Sequence, residues 1–294
     1  MGQRNKGEQG GDQRLCCYEQ TDRKVHEGCS SRAPLFTSPM RLSDVLAVLN
    51  SIAPFDAAEA WDNIGLQVGD PTMEVRSILV ALDPTLEALG MASTNGCELV
   101  VTHHPLIMTP LGRIDLAETV SRKIELLLRQ KLGLVCMHTN LDKAPGGTAD
   151  MLAEALGLKD ASGQGFLRVG KAGTKTPLSL WVEGLPFRAA RLCDAGRLVE
   201  TVGACPGSGM ELWRQARSLG CDTYVTGDVR YHAALEAVEA GMNVVDLGHF
   251  ATEEIVLDSL AGRLGAELCG IRVIVHKGRD VFTAYEKTNR GEAH

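Results

Sequence analysis

Short apolar runs that alternate with helical segments constrain the fold of this chain more than any other feature. Such runs, each typical of a buried strand, occupy residues 77–83, 98–102, 134–137, 223–226, 243–246 and 272–276. Continuous apolar strands separated by helices are typical of parallel sheets that are covered on both faces. The pattern therefore predicts an α/β fold of mainly parallel sheets flanked by helices, in three α/β/α layers. Among the helical segments we place one near residues 189–199.

Composition along the chain predicts an extension followed by two lobes. Residues 1–39 are polar, contain several glycines and lack periodicity, so we expect a disordered N-terminal extension. The glycine-rich stretch 163–173 is a candidate boundary between lobes. We therefore expect a first lobe formed by residues 40–162 together with 245–285, and a second α/β lobe formed by 163–244.

The bulk composition excludes several classes of protein. The net charge of −7 argues against a general nucleic-acid binder, which would carry a basic face. No apolar run approaches the roughly 20 residues that a membrane-spanning helix needs. The N-terminal residues lack the apolar centre of a signal peptide. Nine cysteines, scattered and odd in number, indicate reduced thiols, so we expect a cytoplasmic protein.

The dipeptide His103–His104 ends one of the predicted strands and is followed by Pro105. Side chains alternate between the two faces of a strand, so we expect these imidazoles to diverge. Two adjacent ligands that cannot easily chelate one ion suit two ions a few ångströms apart. The dipeptide is therefore a first indication of a dinuclear metal site.

Two further segments with potential ligands also follow predicted strands. His138 and Asp142 come after the strand at 134–137, and His249 and Glu253 come after the strand at 243–246. In open α/β sheets, ligands gather beyond the carboxyl ends of strands. Imidazole and carboxylate ligands without thiolate suit zinc, iron, manganese or cobalt, and a carboxylate can bridge two ions.

Each of these residues also has a simpler explanation. Asp142 could cap the turn that follows it, and Glu253 could stabilise a helix N-terminus without any metal. His249 alone would be a hydrogen-bonded loop residue. His138 stays open between a further ligand, a partner of a ligand and a proton carrier. His232, at a helix start, favours a structural role. The placement of Asp142, Glu253 and His249 together at strand ends nevertheless favours a metal site.

Five segments in order resemble the NIF-three-like family, which is often named type 2 GTP cyclohydrolase 1 or dinuclear-metal-centre hexameric protein. The resemblance runs from about residue 40 to 285. It is carried by WDNIGL at 61–66, VTHHPL at 101–106, HTNLD at 138–142 with PGG at 145–147, TGD at 226–228 with His232, and GH at 248–249 with Glu253. Pro206 stands where the family pattern has glycine, beside the turn Gly207-Ser208-Gly209.

The resemblance implies a two-lobed α/β fold, two divalent metal ions per subunit and a toroidal homohexamer. The family's ligands carry over onto His103, His104, Asp142, His249 and Glu253, which makes the first lobe the metal-binding one. We expect metal-dependent hydrolysis of a small molecule, such as a nucleotide or a related phosphate or purine compound. A non-catalytic metal carrier, or an adaptor that binds partner proteins, is the alternative.

Overall fold

Two open sheets form the fold of the computed structural model, which describes residues 39–283. The strands are β1 (Met40–Arg41), β2 (Gly65–Val68), β3 (Glu74–Val75), β4 (Ser77–Ala81), β5 (Leu99–Thr102), β6 (Gly133–Cys136), β7 (Lys159–Ser162), β8 (Arg168–Thr176), β9 (Arg191–Cys193), β10 (Val199–Ala204), β11 (Thr223–Thr226), β12 (Asn243–Asp246) and β13 (Arg272–His276).

Helices connect most of these strands. They are α1 (Leu42–Ile52), α2 (Leu86–Thr94), α3 (Thr119–Gln130), α4 (Thr139–Lys143), α5 (Thr148–Ala155), α6 (Leu178–Glu183), α7 (Trp213–Ser218), α8 (Tyr231–Glu239), α9 (His249–Glu253) and α10 (Val256–Glu267). Single 3₁₀ turns lie at Phe55–Ala57 and Met210–Leu212. No helix in residues 39–283 has the length and apolar character needed to cross a membrane.

The five-stranded sheet has the order β13-β4-β5-β6-β2, in which only the edge strand β2 is antiparallel to its neighbour. Every residue of β4, β5 and β6 is buried. Alternation assigns Ile78 and Val80 to the core shared with α1 and α10, and Leu79 and Ala81 to the core shared with α2 and α3. Burial on both faces explains why these strands are continuously apolar.

The six-stranded sheet has the order β7-β8-β10-β11-β12-β9, and its parallel pairings are confined to β10, β11 and β12. Helices α5 and α6 pack on one face, and α7 and α8 pack on the other. The predicted α/β class, with sheets covered by helices on both faces, is confirmed. A third, two-stranded sheet pairs β1 with β3.

The six-stranded sheet includes strands from both sides of the predicted lobe boundaries. Strands β7 and β12 both pair within the six-stranded sheet, although the first ends at Ser162 and the second spans residues 244 and 245. The division into 40–162 with 245–285 and 163–244 stays a prediction. The predicted disordered extension, residues 1–39, lies outside the described residues except for Pro39.

One local prediction in the second half is wrong. The predicted helix near 189–199 is instead the edge strand β9 and a loop, in which Gly196 has a φ of +74°. The Asn243 amide there accepts from the Ala195 N–H and donates to the Arg197 carbonyl, which satisfies backbone groups outside a helix. The glycine-rich stretch 163–173 is occupied from residue 168 by β8, and its role as a boundary between lobes stays a prediction. A Cβ at Gly170 would lie 2.9 Å from the Leu158 Cβ, so this glycine permits close packing.

Candidate metal centre

The carboxyl ends of three strands from the two sheets bring together all of the sequence-predicted site residues. His103 and His104 follow β5, His138 lies between β6 and α4, and His249 begins α9 shortly after β12. Asp142 and Glu253 lie four residues beyond His138 and His249 respectively, on short helices that keep each pair on one side. Because β12 belongs to the other sheet, the cluster is assembled from both sheets.

Adjacent His103 and His104 do not point to opposite faces, which corrects the expectation that they diverge. Their ring centroids are 5.0 Å apart and their planes are tilted by 53°. Strand β5 ends at Thr102, so the pleat that would separate the two side chains has already ended. Both rings instead turn toward Glu253.

The Glu253 carboxylate lies at the centre of the cluster. Its Oε2 atom is 3.0 Å from Nε2 of His104 and 3.0 Å from Nε2 of His249. The same oxygen is 3.8 Å from Nε2 of His103, and that nitrogen is 3.4 Å from Oδ1 of Asp142. Two triads that could each hold an ion therefore share this one carboxylate: His103, Asp142 and Glu253, and His104, His249 and Glu253.

Three buried ligand atoms in the cluster have no hydrogen-bond partner. They are Nε2 of His103, Oδ1 of Asp142 and Oε2 of Glu253. Leaving a buried polar atom unsatisfied costs about 1–3 kcal/mol, so native structures rarely do so without a ligand or a functional reason. All three atoms face one another across distances too long or too poorly aligned for hydrogen bonds. A bound cation would satisfy all three, so the residues fit a metal centre.

Each imidazole is held by an acceptor at its other nitrogen. Nδ1 of His103 donates to the Met137 carbonyl at 2.9 Å. Nδ1 of His104 donates to Asp83 at 2.8 Å, and Nδ1 of His249 donates to Asp228 at 2.8 Å. These bonds leave Nε2 of each ring facing the cluster, where Nε2 of His104 and Nε2 of His249 lie 3.3 Å apart. Such partners fix the tautomer and the orientation of metal-binding histidines and increase their basicity.

His138 is held in the same way but has a different position. Its Nδ1 donates to Oδ1 of Asp62 at 3.0 Å, and Oδ2 of Asp62 accepts from both the amide and the hydroxyl of Thr139. The His138 ring lies 5.2 Å from that of His103 and 5.6 Å from that of His104. His138, His103 and His104 form a third group that could hold an ion.

The raised pKa values of the histidines indicate a strongly negative electrostatic environment at the cluster. Burial acts to lower the pKa of His104, but the hydrogen bond to Asp83 and the nearby Glu253 carboxylate outweigh it and raise that pKa to about 10. The nearby Glu253 carboxylate raises the pKa of His249 to about 9. Burial raises the pKa of Asp142, whereas three imidazoles offset burial and hold the pKa of Glu253 well below its usual range. The cluster attracts cations, and metal binding would release protons from its histidines.

The two triads differ in their access to solvent. The side chains of His104 and His249 are 21% and 35% exposed, whereas that of His103 is fully buried and that of Asp142 nearly so. The triad of His104, His249 and Glu253 thus lies at the solvent-exposed rim of the centre. The triad of His103, Asp142 and Glu253 lies inside the protein.

Glycines allow the backbone to approach the cluster closely. Gly207 has a φ of +59°, and a Cβ at this position would lie 2.1 Å from Oε1 of Glu253. Gly248 has a φ of +84° and precedes α9, where it turns the chain into the helix that carries His249. The turn Gly207-Ser208-Gly209 therefore packs against the cluster, although Pro206 precedes it.

Sequence reasoning did not identify Asp62, Asp83 or Asp228 as partners of the histidines. Asp83 follows β4 and Asp228 follows β11, so the rule that strand ends carry the site could have identified both. Asp228 has a φ of +52°, a strained backbone for a residue other than glycine. His232 is exposed, its ring contacts that of Tyr231 at 5.3 Å, and it belongs to neither triad.

Fold and cluster together define an α/β protein whose two sheets share a histidine–carboxylate centre that could hold metal ions. A family model described as Duf34/NIF3 (NGG1p interacting factor 3) matches residues 40–280. The chain belongs to this family, which confirms the resemblance of its ordered motifs.

Curated relatives cover most of the chain. A Clostridium perfringens protein named GTP cyclohydrolase 1 type 2 homolog is 32% identical over 263 residues, which cover 83% of this chain and 99% of the relative. A Streptomyces coelicolor protein of the same name is 33% identical over 272 residues, covering 83% and 94%.

Solved structures agree with the fold. A crystal structure of a Staphylococcus aureus hypothetical protein has a TM-score of 0.79 at 26% identity, with 84% of this chain and 100% of that chain covered. The structure of reduced HcgD from Methanocaldococcus jannaschii has a TM-score of 0.71 at 27% identity, with 80% and 97% covered.

Proposed function

We propose that this protein is a metal-dependent hydrolase that uses two divalent ions per chain and acts on a nucleotide or a related compound. The observation that carries the proposal is the buried Oε2 atom of Glu253, which has no hydrogen-bond partner and belongs to two triads at once. A carboxylate placed in this way suits the bridging ligand of a pair of ions.

The five predicted ligands divide between two proposed sites. His103 and Asp142 would hold the buried ion, His104 and His249 would hold the ion at the rim, and Glu253 would contribute to both. The set contains nitrogen and oxygen donors without thiolate, which suits zinc, iron, manganese or cobalt. When bound, such an ion pair activates water for attack and stabilises the negative charge that develops during hydrolysis.

His138 is the protein group best placed to move a proton. Its Nδ1 donates to Asp62, so Nε2 is the atom free to take up or release a proton beside the cluster. Its ring packs near those of His103 and His104 without belonging to either carboxylate-containing triad. We therefore assign His138 the role of proton carrier rather than that of a sixth ligand.

The substrate and the assembly rest on resemblance. The name of the curated relatives, GTP cyclohydrolase 1 type 2 homolog, supports a purine nucleotide as the substrate. The toroidal homohexamer and the cytoplasmic location stay proposals, and light scattering on the purified chain would test the first of these.

Metal analysis combined with a hydrolysis assay tests the proposal. Protein purified without chelator should contain two divalent ions per chain and hydrolyse at least one member of a nucleotide panel. The His104→Ala variant should lose the ion at the rim and the activity together. Full activity in this variant after loss of that ion would contradict the mechanism.

A metal carrier is the second candidate, and the exposed rim favours it. Partial exposure of His104 and His249 gives an ion held by these two residues a direct route to solvent. Rapid transfer of metal to an apo-acceptor without turnover of any nucleotide would support this function. Turnover with slow transfer would support the hydrolase.

A further inference from the structure

Trp61 is the one tryptophan of this chain whose side chain is open to solvent. The chain contains three tryptophans, and all three lie within the described residues. Trp181 and Trp213 are buried in the cores of the six-stranded sheet, whereas Trp61 is 63% exposed. Burying a large aromatic side chain would stabilise the fold, so its exposure indicates a role other than stability.

Trp61 borders the candidate metal centre. Its ring centroid lies 6.1 Å from that of His138, in an edge contact with an interplanar angle of 77°. The His138 ring in turn lies 5.2 Å from that of His103 and 5.6 Å from that of His104. An edge contact covers little of an indole, which agrees with the large exposed fraction. The His138 ring therefore links the exposed indole of Trp61 to the histidines of the ligand cluster.

The backbone around Trp61 is fixed although its side chain is open. The next residue, Asp62, bonds to His138 and to both the amide and the hydroxyl of Thr139. Asn63 then donates its side-chain amide to the Ile107 carbonyl, in the loop that follows the twin histidines. These bonds tie the segment to both sides of the centre. Trp61 is therefore held at the rim by the same contacts that orient His138.

We propose that Trp61 is a stacking platform for a planar heteroaromatic ring of the substrate, and that it helps to select substrates containing such a ring. This inference rests on the proposed function, because it assumes that the substrate reaches the metal centre. A ring stacked on the indole would place the remainder of a nucleotide over His138 and the two triads. Stacking on an aromatic side chain tolerates any base, because every base has a π-face.

Binding of guanosine 5′-monophosphate to the full chain, with its metals as purified, tests the platform. Because the other two tryptophans are buried, quenching of intrinsic fluorescence reports mainly on Trp61. We expect the nucleotide to quench this fluorescence saturably and to protect it from iodide. Ribose 5-phosphate, which has no base, should do neither.

Calorimetry on variants separates stacking from a general effect on the fold. Removal of a base–aromatic stack costs about 1–3 kcal/mol, so Trp61→Leu should weaken nucleotide binding about 5- to 150-fold. Trp61→Phe should keep part of the affinity, and neither variant should change the binding of ribose 5-phosphate. Leu128→Ala, at a residue that is 61% exposed on α3, is the matched control and should bind as the parent does.

The outcomes separate this inference from the proposed function. If Trp61→Leu binds the nucleotide as tightly as the parent while metal content and turnover are as proposed, the platform is refuted and the hydrolase stands. If the nucleotide quenches the fluorescence of Trp61 but turnover depends neither on the metal nor on any variant, the platform is supported and the hydrolase is refuted. If iodide reaches Trp61 only after an oligomer dissociates, the indole belongs to a subunit interface and the platform is refuted.

Discussion

Replacing Gly207 with alanine tests whether the position of Glu253 controls metal binding. A Cβ at residue 207 would lie 2.1 Å from Oε1 of Glu253, whereas ordinary contacts begin near 3.4 Å. The carboxylate must therefore move by roughly 1 Å. Glu253 is buried and faces three imidazoles, so it cannot simply rotate into solvent.

The expected effect has two parts, and a matched variant separates them. Gly207 has a φ of +59°, so alanine there also carries a backbone penalty of about 1–2 kcal/mol. Gly196 has a φ of +74° with nothing within 4 Å of an added Cβ, so Gly196→Ala carries the backbone penalty alone. Misplacing a ligand by this amount should weaken metal affinity about 10- to 100-fold. Only Gly207→Ala should show that loss.

Two measurements on each variant provide the test. Urea unfolding in the presence of a chelator gives the free energy of unfolding without the metal, which should fall in both variants. Competition with a chromophoric chelator gives the metal affinity, which should fall only in Gly207→Ala. If Gly207→Ala binds two ions with the affinity of the parent, Glu253 is not their shared ligand and the reasoning is refuted.

Three further changes test other parts of the centre. Asp142→Asn removes charge from the buried triad alone, so elemental analysis should find one ion per chain instead of two. Asp228→Asn weakens the acceptor behind His249, so calorimetry should show the rim ion bound about 10- to 100-fold more weakly, with the buried ion unchanged. Although burial acts to raise it, hydrogen bonds from His138 and Thr139 hold the pKa of Asp62 at about 2. A lowered carboxyl pKa adds about 2 kcal/mol of stability above pH 5, which is lost as the pH falls from 4 toward 2. Urea unfolding of chelator-treated protein at pH 5 and pH 3 should therefore show a smaller acid-induced loss for Asp62→Asn than for the parent.

Much of the fold could be predicted because burial leaves a plain record in the sequence. The strands β11, β12 and β13 have the bounds that their apolar runs predict. The segment 189–199 could not be assigned in this way. Its backbone is satisfied by the Asn243 side chain, and Arg191 of β9 forms an ion pair with Asp246 of β12. Such contacts join residues about 50 positions apart and leave no local pattern.

The candidate site was predictable to the extent that its residues follow strands. His103, His104, Asp142, His249 and Glu253 were selected on that ground, and the structure brings them together. Their role as metal ligands stays a prediction.

The carboxylates behind the histidines were not predictable in the same way. A lone aspartate after a strand, such as Asp83, has the same pattern as a turn cap. Its pairing with His104 depends on how neighbouring strands align, as the parallel register of β4 and β5 shows. The exposure of Trp61 likewise has no signal in the sequence, because it depends on what packs nearby.

Anomalous diffraction from crystals of protein purified without chelator would test the central claim most directly. We expect two peaks per chain, roughly 3.5–4 Å apart, with the Glu253 carboxylate in contact with both. One peak should adjoin His103 and Asp142, and the other should adjoin His104 and His249. The absence of any peak at these side chains, in crystals soaked with zinc or manganese, would contradict the account.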